Sequence, residues 1–219
     1  MILAAGRGER MRPLTDATPK CLLPVRGRPL ISYLIEQLRR AGFLEIVINV
    51  SHLAEQITDR FGDGADYGLT LRWSHEAEPL ETAGGIAYAR TLLGAAPFLL
   101  VNSDIWCDYD LHALLAVTLH ARLAHLVLIA NPPHNERGDF SLDGDRVGND
   151  ASPRYTYAGI AVLSPGLVAG VAPGAKAPLA PLLRAAAARG EVTGEIHRGA
   201  WHDVGTEERL AKLLASLQG

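Results

Sequence analysis

Four cations, Arg7, Arg10, Arg12 and Lys20, gather around a small-residue turn that contains Gly6 and Gly8. Glycine lets a backbone approach a ligand closely and exposes its N–H groups, and N–H clusters flanked by arginine forks suit phosphate oxygens. The apolar run ahead of the turn, residues 1–5, reads as a buried strand. Strand, amide-rich turn and cations together describe a polyphosphate cradle. The formal net charge is −3, so this excess of cations is local, and the protein as a whole is not expected to attract nucleic acid or an anionic membrane. Only three lysines occur, Lys20, Lys176 and Lys212, against abundant arginine. A lysine inside the motif therefore marks a place where a compact point charge is wanted.

Two common phosphate motifs do not fit. A dinucleotide fingerprint needs a third glycine where this chain has Met11, and no Gly-Lys-Ser/Thr end of a P-loop is present. What remains is Leu3-Ala4-Ala5-Gly6-x-Gly8-x-Arg10-Met11-x-Pro13-Leu14-Thr15, followed by Pro19-Lys20. This pattern resembles the signature of the sugar-1-phosphate nucleotidyltransferases. The resemblance implies a Rossmann-like α/β fold with an open, mostly parallel (mixed) sheet and helices on both faces. It also implies that Leu3, Ala4, Ala5, Gly6 and Gly8 line the nucleotide, that Arg10 grips the β- and γ-phosphates, and that Lys20 lies near the reacting phosphates.

Carboxylates supply the other half of the chemistry. Residues 98–104, Phe-Leu-Leu-Val-Asn-Ser-Asp, end a buried strand on Asp104, and ligands of open α/β sheets bind at the carboxyl ends of strands. That segment and residues 199–206, which contain Asp203, both resemble the family's metal-binding segments, whose two aspartates hold Mg²⁺ against nucleotide phosphates. Mg²⁺ favours one or two protein carboxylates, with phosphate and water oxygens completing its octahedron. Ser103 stands where the family usually has glycine. The implied reaction needs no general base, because the second pKa of a sugar 1-phosphate is about 6 and the dianion is already nucleophilic at neutral pH. It attacks the α-phosphorus in line and pyrophosphate leaves, so Arg10, Lys20 and the metal that Asp104 helps to hold have only to position the anions and neutralise charge. The eight histidines show no ligand spacing and are expected at the surface or behind the site, with His202, beside Asp203, the one to watch.

By the same resemblance Asn102 and the loop 76–85 contact the nucleotide, with Thr82, Ala83 and Gly84 close to the base and Glu78 at the position of the base reader. A carboxylate accepts the uracil N3–H but cannot donate to its carbonyls, so backbone N–H groups must do that. On the sugar side, residues 146–153 and Tyr157-Ala158-Gly159 replace the Glu-Lys-Pro and Asn-Ala-Gly segments of many relatives. Arg137, Gly138, Asp139, Tyr157, Gly159 and Arg198 are the candidate sugar contacts. With E-P-L-E-T-x-G-G, N-x-D-x-W, R-G-D-F and R-G-x-W-x-D-V-G, the compact chain resembles the bacterial N-acetylmuramate α-1-phosphate uridylyltransferases of cell-wall recycling. UTP and a sugar 1-phosphate are then the implied substrates. Other readings are a mannose- or glucose-1-phosphate enzyme with a different base, or a silent nucleotide-sugar-binding module. Intact Arg10, Lys20, Asp104 and Asp203 speak against silence, and Met11 speaks against an oxidoreductase.

The elements that must position these groups follow from periodicity. Residues 29–41, 52–61, 83–93, 109–121, 179–189 and 206–217 read as helices. Residues 45–50, 69–74, 97–101, 124–130, 155–163 and 192–197 read as strands, and Asp143-Gly144 marks a hairpin within 139–147. Strand and helix alternate in units of about thirty residues through the first part, the rhythm of a parallel sheet with crossover helices. One domain over 1–219 is expected, with 1–130 mainly nucleotide-binding and 131–219 mainly sugar-binding. A hydrophobic fraction of 48% suffices for one substantial core. Cys21 and Cys107 read as packed, reduced thiols, and no membrane-length apolar run or signal segment is seen. A cytoplasmic monomer is the expectation.

Overall fold

The computed structural model describes residues 1–217. In chain order the strands are β1 (Ile2–Leu3), β2 (Pro24–Val25), β3 (Arg28–Pro29), β4 (Glu45–Val50), β5 (Thr70–His75), β6 (Phe98–Asn102) and β7 (Ile105–Cys107). They continue as β8 (Ala124–Ile129), β9 (Phe140–Asp143), β10 (Arg146–Gly148), β11 (Arg154–Leu163), β12 (Val192–His197) and β13 (Trp201–Asp203). The helices are α1 (Leu14–Ala17), α2 (Leu30–Arg40), α3 (Ala54–Phe61), α4 (Glu81–Tyr88), α5 (Arg90–Leu93), α6 (Leu179–Ala188) and α7 (Glu207–Ser216). The fold is α/β, as expected, and the chain gathers into two compact units, each assembled from separated segments.

The first unit comprises Met1–Pro79, Asn102–His112 and the chain from Ala200 onward. Its sheet is parallel, with β4 between β1 and β5 and a register of Ile2↔Ile48 and Val50↔His75. Ile46, Val47, Ile48 and Val50 are all buried, as a β-branched central strand requires. Helix α2 buries Leu30, Ile31, Leu34, Ile35 and Leu38 at helical spacing and ends on Arg39 and Arg40, cations that suit a helix C-terminus. A second apolar cluster joins Met11, Leu23, Val25 and Leu30 to Val204 and Leu213, with Tyr33 and Trp106 packed against it. Met11, where a dinucleotide site would need glycine, is thus a fully buried core residue.

The second unit comprises Leu80–Val101 and Ala113–Gly199. Here β11 runs antiparallel to both β6 and β8, while β12 is parallel to β8. The expected hairpin is β9–β10, paired Asp143↔Arg146 around Gly144, whose φ of +57° supplies the turn. Between Tyr157 and Ala161 the register of β11 slips against β8, and Gly159 sits in this irregularity at φ +76°. Helix α6 buries Leu179, Leu183, Ala186 and Ala187, which is the stripe its alanine-rich sequence offers.

One expected element is corrected. Residues 109–121 do not form an α-helix but a six-residue 3-10 helix, Leu111–Ala116. Leu111 and Leu114 are buried three residues apart, the repeat of a 3-10 turn. Beyond it lie β-branched Val117 and Thr118, and His120 adopts φ +50°, outside right-handed helix space. Residues 83–93 likewise divide into α4 and α5 at Ala89.

Candidate active site

The front turn is held from behind by a buried relay. Ala4 N–H donates to Asn49 Oδ1 (2.9 Å), and Asn49 Nδ2 donates to Glu76 Oε1 (2.7 Å). Leu3 C=O accepts from Ser103 N–H (3.1 Å). The backbone groups of Leu3 and Ala4 thus fix the turn, and Ala5 is buried behind it. Gly6 and Gly8 then play different parts. A Cβ at Gly6 would meet nothing, so its smallness serves open space rather than packing. Gly8 has φ +66°, a Cβ there would lie 2.9 Å from Thr15 Cγ2, and its carbonyl accepts from both Thr15 Oγ1 and Met11 N–H (2.8 Å each). The 3-10 turn Glu9–Met11 that follows drives Met11 into the core and leaves Arg10 exposed beside Arg7 and Arg12.

Lys20 opens a short 3-10 turn after Pro19, and its Nζ donates to the Asp104 carboxylate. Asp104 stands at the entrance of a two-stranded ribbon, β7–β13, with the register Ile105↔Asp203. Val204 N–H donates to Asp104 C=O (2.8 Å), so the backbone of Asp104, just ahead of β7, lies beside the end of β13 that carries Asp203. Asp203 is ion-paired with Arg209, whose N–H and Nε donate to Thr206 Oγ1 (3.3 and 3.4 Å). His202 lies on the same strand with its ring centroid 5.9 Å from that of Trp106. The structure therefore joins Lys20 to Asp104 and sets the backbones of Asp104 and Asp203 close together at the ribbon, with the Gly6 turn tied to Ser103 through Leu3. Glu78 is exposed, whereas Glu76, two residues earlier, is buried in the relay. Cys21, next to Lys20, is buried and its thiol is pushed up to about 12 by desolvation; Cys107 is raised for the same reason. Both are free and packed, as expected.

Two hard carboxylate donors, one just ahead of β7 and one at the end of β13, suit Mg²⁺. Among the described residues no group of three or more His, Cys, Asp or Glu is placed to hold a metal, so such an ion would need phosphate and water oxygens to complete its shell.

The second unit carries the remaining candidates. The N–H groups of Ala83 and Gly84 both donate to Ala177 C=O (2.9 and 3.1 Å), and Gly84 has no room for a Cβ against this segment. Thr82 is half-buried one residue earlier. Asp139 anchors a network: its Oδ2 accepts from Asn135 Nδ2 (3.1 Å) and Tyr157 N–H (2.9 Å), and its C=O accepts from Arg154 Nη2 (2.8 Å). Gly138 has φ +61°, and a Cβ there would sit 2.7 Å from Asn131 Oδ1. The Tyr157 hydroxyl is buried without a hydrogen-bond partner, and burial raises its pKa. Arg137 and Arg198 are exposed.

Three site residues have no forerunner in the sequence reading: Asn49, Glu76 as a buried anchor, and Arg209. An asparagine inside the apolar run 46–50 is the one signal that pointed to the first. His125 also departs from the expectation for histidines: it is partly buried, with Nδ1 3.0 Å from Thr193 Oγ1 and a pKa lowered chiefly by desolvation.

Comparison with known proteins extends these observations. A family profile described as Nucleotidyl transferase matches residues 1–141. An N-acetylmuramate alpha-1-phosphate uridylyltransferase of Neisseria meningitidis serogroup B is 49% identical, covering 98% of this chain and 96% of that one. One of the same name from Caulobacter vibrioides is 32% identical, over 98% of this chain and 94% of its own. A crystal structure from Bacillus anthracis, described as a candidate glucose-1-phosphate thymidylyltransferase in complex with sucrose, superposes with a TM-score of 0.85 at 20% identity, covering 98% and 93% of the two chains. That likeness confirms the fold. The profile takes in the front turn, Lys20 and Asp104, and the near-full-length similarity runs on through Asp203, so the chain belongs to the nucleotidyl transferase family.

Proposed function

We propose that this nucleotidyltransferase moves a uridylyl group from UTP to N-acetylmuramic acid α-1-phosphate, giving UDP-N-acetylmuramic acid and pyrophosphate. The observation that carries the substrate pair is the 49% identity, end to end, with a relative of that name. The site chemistry agrees with such a transfer. Arg7, Arg10 and Arg12 surround the open Gly6 turn, where a triphosphate can meet exposed amides, and Lys20 stands one side chain away from Asp104. An already dianionic sugar phosphate needs alignment and charge neutralisation, which these four cations and an N–H turn provide.

Asp104 and Asp203 are the residues that would hold Mg²⁺, which supplies charge neutralisation at the transferring phosphoryl group when bound. Beside the front turn, Glu78, Thr82, Ala83, Gly84 and Asn102 remain the proposed nucleotide contacts, and Arg137, Gly138, Asp139, Tyr157, Gly159 and Arg198 the proposed sugar contacts. The same reading makes the enzyme a cytoplasmic monomer serving cell-wall recycling, by its likeness to the relatives of that name. Among the described residues no helix is long and apolar enough to cross a membrane. The test is a panel of nucleoside triphosphates against sugar 1-phosphates, read by pyrophosphate release. UTP with N-acetylmuramate 1-phosphate should exceed UTP with N-acetylglucosamine 1-phosphate, which lacks only the lactyl ether, by about one to two decades in kcat/KM. Equal rates for the two sugars would remove the muramate assignment.

A further inference from the structure

Each of the two carboxylates at the ribbon carries its own cation. Lys20 holds Asp104 and Arg209 holds Asp203, with side-chain exposures of 15% and 27% in the first pair and 17% and 20% in the second. The second pair is built into the backbone around it. Arg209 is the third residue of α7, where a positive charge opposes the helix dipole and is unfavourable without a local anion. Thr206 accepts from both its N–H and its Nε, which fixes the side chain's direction. Gly205 is buried, and a Cβ there would lie 2.9 Å from Cζ and both terminal nitrogens of Arg209, so the guanidinium fills the space that glycine vacates. Arg209 is thus placed for its contact with Asp203 by two features, Thr206 and Gly205, at a helix position that does not itself favour a cation.

Two neutralised carboxylates make a poor trap for a bare divalent ion. The ion would have to displace two cations, and no third carboxylate, imidazole or thiolate is at hand among the described residues. A metal already bound to a triphosphate is a different visitor. It brings its own anionic oxygens, and those oxygens give the displaced cations new partners.

We propose that Arg209, together with Lys20, is a counter-ion that keeps the Asp104–Asp203 pair closed to free divalent metal, so that the metal enters only as its nucleotide complex. This rests on the reading of the two aspartates as metal carboxylates. Arg209 is a positioning and gating residue here, acting through Asp203.

The experiment measures Mn²⁺ binding by water-proton relaxation enhancement, which reports metal on a slowly tumbling protein independently of turnover. Wild-type protein alone should bind Mn²⁺ weakly and should gain strong enhancement when the non-hydrolysable α,β-methylene analogue of UTP is added. Arg209→Gln should bind Mn²⁺ without nucleotide at least about tenfold more tightly than wild type. Arg209→Lys, which keeps the charge, should stay within about twofold of wild type. Asp203→Asn placed in the Arg209→Gln background should abolish the gain. Unaltered Mn²⁺ affinity in Arg209→Gln, with nucleotide-dependent enhancement intact in wild type and lost in Asp203→Asn, would overturn the gate and leave the metal reading standing. Absence of enhancement in every arm, nucleotide included, would overturn both. Should Arg209→Gln fail to fold, the wild type decides: tight Mn²⁺ binding without nucleotide overturns the proposal.

Discussion

Around Asp104 the half-buried polar groups are full charges held in pairs, whereas around Asp139 they are mostly amides and hydroxyls tied into a closed network. Lys20 and Arg209 each face one carboxylate. Asn131, Asn135 and Thr156 bond to one another and to the backbone on either side, with Thr156 Oγ1 donating to Asn131 Oδ1 (3.0 Å) and Asn131 Nδ2 donating to Arg154 C=O (3.1 Å). The difference is one of replaceability. An ion pair can trade one partner for a ligand of the same sign at modest cost, while a network of oriented neutral donors loses several bonds if one member leaves. The first region is built to exchange partners and the second to hold a loop still. Substitutions in the first should therefore change rate, and substitutions in the second should change melting temperature.

The largest effect tests the first half of that contrast. Asp104→Asn or Asp203→Asn should lower kcat by about 10²–10³-fold, the scale for removing a charge-stabilising group, with the circular dichroism spectrum retained. Near-normal turnover in either variant would break the comparison. Arg10→Ala should reduce kcat/KM by roughly 10–100-fold, corresponding to one or two lost charge-assisted bonds, while Arg39→Ala on α2 should change it less than about threefold. Equal losses would mean that the arginines act through net charge alone.

The second half is tested by stability. Gly138→Ala forces a Cβ against Asn131 at a positive φ and should cost about 1–3 kcal/mol, lowering Tm by roughly 3–10 °C. A fall in kcat at unchanged Tm would show that this loop works chemically rather than as a brace. Tyr157→Phe removes a buried hydroxyl that lacks a partner and should raise Tm by about 2–4 °C. A lower Tm would show that the hydroxyl is satisfied in solution.

The smallest effect is a pH response confined to the second unit. Burial lowers the pKa of His125, so on acidification the unfolded chain takes up a proton before the native one does. Stability is then complete above the ordinary histidine range and declines as pH falls through it, a decline that His125→Gln should flatten in melting curves taken from pH 7.5 to 5.

Much of the fold was legible because single residues carried local reasons. The spans of β4 and β12 match the reading residue for residue; in β4 a β-branched run of strand length leaves little alternative, and in β12 β-branched residues flank Gly194 and Glu195. Gly8 and Gly144 lie at positive φ where turns were read, and Thr206 caps α7 with its own hydroxyl. Residues 109–121 misled because a leucine-rich stretch has helical composition whether or not its backbone is free to continue. The placements of Asn49, Glu76 and Arg209 were hidden for another reason. Asn49 reaches Ala4 across 45 residues, and Arg209 earns its meaning only from Asp203 folding back beside Asp104. Periodicity reports which face is apolar, not which distant polar group will complete a bond.

The apolar cluster behind the front turn draws its two halves from stretches far apart in the sequence. Met11, Leu23, Val25 and Leu30 are translated early, but Val204 and Leu213 follow roughly 170 residues later. At ordinary elongation speeds that gap lasts roughly 10–35 s, during which the nascent chain presents a half-built apolar surface next to the Gly6 turn. The core behind the turn cannot close before Val204 and Leu213 have emerged, so a chain cut ahead of them should be inactive and a client for chaperones and proteases.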